Sequence, residues 1–172
     1  YNKLLWTNEV HLRNNPIDEV YQNFLDWSNY CKIKIAAEDT YIKRVIEISR
    51  QKVQTLKELY EFSRNFFIDN FEYEEEFVKK YMCKPWFKEV IETTIDQLQQ
   101  LDHFEINNIE NTLKQIAALN ITGKKNVFQS IRGSILGKLV TPGLYESIKV
   151  LGKEQTINRL KKAVDFSNNI NR

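Results

Sequence analysis

Apolar residues recur along this sequence every three or four positions, and no stretch alternates apolar with polar residues between hairpin turns. Only five glycines and three prolines interrupt that rhythm over 172 residues. A chain with so few places to turn and no faces suited to a sheet predicts an all-α fold, a bundle of helices joined by short connections.

The expected elements follow from start signals and stripes. Asn15 is read as an N-cap and Pro16 as the first helical position, with Asp18 and Glu19 at the positive end of the dipole. Ile17, Val20, Tyr21, Phe24 and Leu25 form that helix's inner face. A second helical region runs from Asp39 to Phe67, as one kinked helix or two. Ile42, Val45, Ile46 and Ser49 mark one stripe, and Val53, Leu56, Leu59, Tyr60 and Phe67 another. Phe71 to Glu76 reads as a boundary or a short helix start. Trp86, Val90, Ile91, Ile95 and Leu98 form the next inner face, and Ile106, Ile109, Leu113, Ile116 and Ala117 another. After the Thr122-Gly123 break, Val127, Phe128 and Ile131 lead into Arg132. Thr141-Pro142-Gly143 opens a short helix over Leu144, Ile148 and Leu151, which Gly152 closes. The last helix points Ile157, Leu160 and Val164 inward, and Lys161 and Lys162 outward. Two consecutive helical subdomains are expected, 1–75 and 76–172.

Composition narrows the class. With 42% apolar and 12% aromatic residues the chain can build a core. No apolar run is long enough to cross a bilayer, and no leader precedes the first helix, so a cytoplasmic protein with no membrane partner is expected. Cys31 and Cys83 are far apart and lack a CxxC partner, which suits a reducing compartment. A start at Tyr1 suggests a piece of something longer. Residues 1–110 hold 14 Lys and Arg against 20 Asp and Glu, a net of −6, whereas residues 111–172 hold 11 against 3, a net of +8. Such asymmetry points to a polyanionic partner for the basic end.

No catalytic constellation can be assembled. His11 and His103 sit at ligand spacing from neither a cysteine nor each other, so no metal site is expected. There is no GxGxxG, no Walker-type loop and no nucleophile elbow. Glu74, Glu75 and Glu76 read as a solvated helix face. Taken alone, the chain has no catalytic residues.

The stretch from Gly123 to Val164, GKKNVFQSIRGSILGKLVTPGLYESIKVLGKEQTINRLKKAV, is the informative one. It resembles the end of bacterial glutamyl-tRNA synthetases. There, a helix ending in Arg precedes a small-residue stretch, a Pro turn, a helix closed by Leu-Gly-Lys-Glu, and an Arg-Leu pair. The corresponding residues are Ile131-Arg132, Gly133 through Gly137, Thr141-Pro142-Gly143-Leu144, Leu151-Gly152-Lys153-Glu154 and Arg159-Leu160. Lys3-Leu4-Leu5-Trp6-Thr7-Asn8, with Arg13 beyond, is similar to the stretch just past that family's catalytic part. Thr7, Val10-His11-Leu12 and Gly133 depart from the pattern, Gly133 standing where more bulk is usual.

The resemblance implies a glutamate–tRNA ligase that activates glutamate with ATP and Mg and esterifies it to tRNA(Glu), acting as a monomer, with tRNA(Gln) left open as a second substrate. Its HIGH-like and KMSKS-like ATP signatures are not in these 172 residues, so no cofactor is expected here. Anticodon binding is implied for Arg132, Thr141, Pro142 and Leu144. Arg offers paired donors or a flat stacking face, Thr a hydroxyl, Pro a rigid apolar face, and Leu a filler beside a splayed base. Gly143 permits close backbone approach. Lys124, Lys125 and Lys138 are expected phosphate contacts, which position RNA without reading it. The family also reads from its first subdomain with an Arg, for which Arg44, Arg50 and Arg64 are available and Arg50 is preferred. Two other classes compete. A nucleic-acid module of another kind would bind by charge alone. A protein-interaction scaffold would use Phe62, Phe66, Phe67 and Phe71 as an apolar patch.

Overall fold

A computed structural model describes residues 10–170. The expected anchor Lys3-Leu4-Leu5-Trp6-Thr7-Asn8 lies outside the described residues. The described residues are all-α, without a strand. They form two compact units, one ending at Asp69 and the other starting at Asn70.

The first unit is built from α1 (Ile17–Tyr30), α2 (Asp39–Ser49) and α3 (Leu56–Ser63). Pro16 lies at the N-cap rather than inside α1, because its ψ of 143° is extended. Its carbonyl accepts the amides of Glu19 and Val20, while the Asn15 side chain donates to Glu19 Oε1 at 2.7 Å instead of capping. The Asp39–Phe67 region is two helices. A 3₁₀ turn, Arg50–Lys52, follows α2, and extended Val53 breaks the path. Thr55 restarts it, with Oγ1 accepting from the Glu58 amide at 3.1 Å, while Glu58 Oε2 accepts from the Gln54 amide at 2.8 Å. These reciprocal bonds satisfy donors that a helix start would otherwise leave unpaired.

The α2 stripe is fully internal, with Ile42, Val45, Ile46 and Ser49 all buried. Ile42 and Ile46 join Leu12, Val20, Tyr21, Phe24, Val53 and Leu59 in one cluster. Phe66 is buried, and Phe62 and Phe67 pack against that cluster, so these aromatics are core rather than a patch for a partner.

The second unit contains α4 (Phe87–Gln99), α5 (Ile106–Ala118), α6 (Lys124–Leu136), α7 (Leu144–Leu151) and α8 (Lys153–Ile170). Packing of α8 along α4 is its most extensive contact, and α6 lies against α4, α5 and α8. A helical turn at Glu75–Phe77 continues as a π-turn, Val78–Met82, before α4. This places Phe77, Met82 and Phe87 at the centre of the core, none of which the stripe reading had assigned. Trp86 is only half-buried at the α4 N-cap, and Ile106 is 38% exposed at the start of α5.

The change of subdomain was expected near residue 75. Residues 71–74 form a non-helical strap within the second unit, where Tyr73 packs between Phe77 and Phe166 at 5.9 and 5.0 Å.

Candidate anticodon-binding site

Of the expected site residues, Arg132, Lys138, Thr141, Pro142 and Leu144 gather where α6, the seven-residue connection 137–143 and α7 meet. The sequence suggested that α6 ends at Arg132, but it runs one turn further to Leu136. In that last turn Gly133 lies directly on Phe77. A Cβ at Gly133 would come within 2.6 Å of Phe77 Cζ and nearer still to Cδ2 and Cε2. The ring therefore fills the place that bulk at this position would occupy. Gly137 ends the helix with φ at 71°, a left-handed conformation that an L side chain resists.

From that rigid helix Arg132 reaches across the connection. Its Nη1 donates to Thr141 Oγ1, to the Thr141 carbonyl at 3.5 Å and to the Pro142 carbonyl at 2.8 Å. Thr141 Oγ1 in turn donates to the Pro142 carbonyl at 2.9 Å. Arg132 is half-buried, and burial lowers its pKa from the usual arginine range while the charges of Glu146 and Tyr145 oppose that shift. The remaining donors, Nε and Nη2, make no hydrogen bond among the described residues. Arg132 lines an open cleft of about 300 Å³ together with Phe128, Gly143, Leu144, Tyr145 and Glu146. The Phe128 and Tyr145 rings meet edge to face at 6.4 Å. Gly143 lets the Glu146 carboxyl group fold back over the turn, since a Cβ there would lie 2.7 Å from its Cδ. The cleft thus offers a forked cation, a carboxylate and two aromatic rings, the chemistry that suits a flat heterocycle with donors and acceptors on its edge.

The structure brings Arg132, Thr141, Pro142 and Leu144 together, but not in identical roles. All three of Thr141, Pro142 and Leu144 are buried; Leu144 lines the cleft, whereas Thr141 and Pro142 form the turn that holds Arg132. Phe128, Tyr145 and Glu146 were not expected. Their signal was their position, one α6 turn before Arg132 and directly after Leu144, which becomes legible only once α6 and α7 are known to converge. Lys124 and Lys125 are exposed at the start of α6, with Lys124 Nζ 5.7 Å from the Phe128 ring centre. Lys138 is half-buried in the connection.

Arg50 belongs to the first unit. Its guanidinium donates to the carbonyls of Leu12 at 3.4 Å and Asn15 at 2.8 Å, and pairs with Glu47 at 2.9 Å. It braces the chain before α1, whereas Arg44 and Arg64 are exposed. Among the described residues no group of three His, Cys, Asp or Glu is placed to hold a metal ion, and no helix is long and apolar enough to cross a membrane.

Two further residues of the sequence pattern have clear structural work. Lys153 Nζ donates to the carbonyls of Gln99 and Leu101 at 2.7 and 2.8 Å, which caps the end of α4. Arg159 is 2% exposed and donates to the Ile135 carbonyl at 2.8 Å.

Comparisons with known proteins agree with one another. The family model described as an anticodon binding domain matches residues 19–164. Glutamate–tRNA ligase 1 of Petrotoga mobilis is 64% identical over 170 residues, covering 99% of this chain and 36% of that protein. Glutamate–tRNA ligase 2 of Thermosipho melanesiensis is 46% identical, covering 96% and 36%. The chain therefore spans about a third of the length of these relatives. A solved glutamate tRNA ligase from Elizabethkingia meningosepticum, in complex with its amino acid, superposes with a TM-score of 0.79 over 94% of this chain and 31% of that one, at 21% identity, which speaks for the fold. On a family match across most of its length, the chain belongs to the anticodon-binding domain family.

Proposed function

We propose that this chain reads the anticodon of tRNA(Glu) as the helical end of a glutamate–tRNA ligase. The ligase would work in the cytoplasm, with its ATP and Mg chemistry in the part of the protein outside this chain. The observation that carries the reading is the state of Arg132. Its Nη1 is tied to the Thr141–Pro142 turn, and the side chain lines a cleft that Phe128 and Tyr145 also border. A guanidinium fixed in this way can present its side edge to a base without first losing rotamer freedom. Lys124, Lys125 and Lys138 would contact phosphates, in keeping with the net of +8 over residues 111–172. In the first unit Arg50 enters as a brace, with exposed Arg44 and Arg64 as the groups available to RNA.

The test is an amide-shift titration with the tRNA(Glu) anticodon stem-loop, repeated with the anticodon bases changed and with tRNA(Gln). Shifts centred on Arg132 and Thr141–Leu144 that disappear with the altered loop are expected. Arg132→Ala should cost about 1–3 kcal/mol and flatten discrimination at one base, while Lys124→Ala should weaken all loops alike and reduce the salt dependence. Uniform, salt-sensitive shifts with every loop would reduce the chain to a basic helical domain.

A further inference from the structure

Seven residues, 137–143, separate the helix that carries Arg132 from the helix that carries Leu144 and Tyr145. Where that connection lies decides whether Arg132 and the Thr141–Pro142 turn meet. Its interior runs through half-buried Lys138 and Leu139 to Val140, which is 74% exposed, so burial holds it weakly at the middle. Besides Arg132 at its far end, the strap 71–74 from the start of the second unit holds it.

Two points of attachment come from one residue. The Glu74 amide donates to the Gly137 carbonyl at 2.8 Å, and Glu74 Oε2 accepts from the Leu139 amide at 3.0 Å. The strap also presses on the α6 terminus, since a Cβ at Gly137 would lie 2.7 Å from both the Glu72 carbonyl oxygen and Phe71 Cδ2. The Arg159 guanidinium stands 5.0 Å from the Phe71 ring centre while donating to the Ile135 carbonyl, which links the strap to the same helix end. Glu75 and Glu76 behave differently from Glu74, because each pairs with a lysine four residues along its own turn.

We propose that Glu74 is a positioning residue for the anticodon site, holding Leu139 so that Thr141 and Pro142 meet the Arg132 guanidinium. This rests on the function proposed above. Glu74 is not among the residues that line the cleft, and it acts through the connection. Its carboxylate is exposed, so losing it should leave the core intact while letting residues 138–141 drift. A protein whose connection drifts would still attract RNA through its lysines, but would tell one anticodon from another less well.

The experiment compares Glu74→Ala and Glu74→Gln in the 172-residue chain. Glutamine keeps a side-chain oxygen for the Leu139 amide, and alanine does not. Three quantities are read: Leu139 amide exchange without RNA, the ratio of affinities for the tRNA(Glu) stem-loop and a base-changed loop, and the salt dependence of binding. For Glu74→Ala, Leu139 exchange should quicken and the affinity ratio should fall about fivefold, the order expected for losing one hydrogen bond, with the salt dependence unchanged. Glu74→Gln should restore most of the ratio. Unchanged Leu139 exchange would remove the latch, and faster exchange with an unchanged ratio would remove its positioning role. Equal weakening with both loops would make Glu74 merely structural. Indifference of the parent chain to the anticodon would overturn the proposed function itself, and the positioning role with it, whatever the exchange shows.

Discussion

Gly133→Ala sets two opposing effects against each other, and the structure decides which is larger. Inside a helix, alanine is favoured over glycine by about 1 kcal/mol. Here, however, the new methyl would fall 2.6 Å from Phe77 Cζ and closer to two other ring carbons. Carbon–carbon contact is comfortable at ~3.5–4 Å, so the ring would have to retreat by about 1–1.5 Å. It has little room to do so, because Tyr73, Tyr81 and Phe87 surround it with ring centres at 5.9, 6.0 and 6.1 Å. Overpacking of that kind costs about 1–3 kcal/mol, so the expected outcome is a net loss of ~1 kcal/mol. Urea denaturation with amide exchange at Ile131 and Ile135 would measure it in the second unit itself. A second arm gives the mechanism. In the double variant Phe77→Leu, Gly133→Ala the methyl gains space, so the combined loss should fall below the sum of the single losses by ~1 kcal/mol or more. A Gly133→Ala protein as stable as its parent, or strict additivity with Phe77→Leu, would refute the claim that Phe77 keeps this position small.

Gly137→Ala should be more damaging than Gly133→Ala. It would combine a left-handed backbone, worth about 1–2 kcal/mol, with a clash against the Glu72 carbonyl oxygen, which as backbone cannot swing away; the same urea titration tests it. Thr55→Ala removes the acceptor for the Glu58 amide at the start of α3 and should cost the first unit about 1 kcal/mol, seen as faster amide exchange in α3. Burial raises the Tyr73 pKa from 10.0 to about 12 against the opposing charge of Arg159. The folded protein therefore keeps a proton that the unfolded chain releases, and this contribution is whole below pH 10 and lost as pH rises toward 12. The loss reaches about 2–3 kcal/mol at most, and Tyr73→Phe should flatten this part of an alkaline stability profile measured by denaturation.

The sequence alone determined the class of fold, because a period near 3.6 with so few glycines and prolines leaves no face on which a sheet could close. The α2 stripe shows this well. Ile42, Val45, Ile46 and Ser49 are three and four positions apart, and all four are buried. The resemblance to glutamyl-tRNA synthetases, rather than any local signal, pointed to Arg132 and the Thr141–Pro142–Leu144 turn, which the fold brings together. Other features were decided only by tertiary structure. A π-turn shifts the register after Phe77, so no 3.6-residue stripe could show that Phe77, Met82 and Phe87 share the core. Glu74 looks like Glu75 and Glu76 in a run of like charges, and only the return of the chain at Leu139 distinguishes it. Arg50 was preferred over Arg44 and Arg64 from the sequence, and only the fold shows its Nη1 donating to the carbonyls of Leu12 and Asn15. Periodicity reports which side of an element is apolar. It carries nothing about which distant backbone groups will seek a partner, and here those groups set the roles of the charged residues.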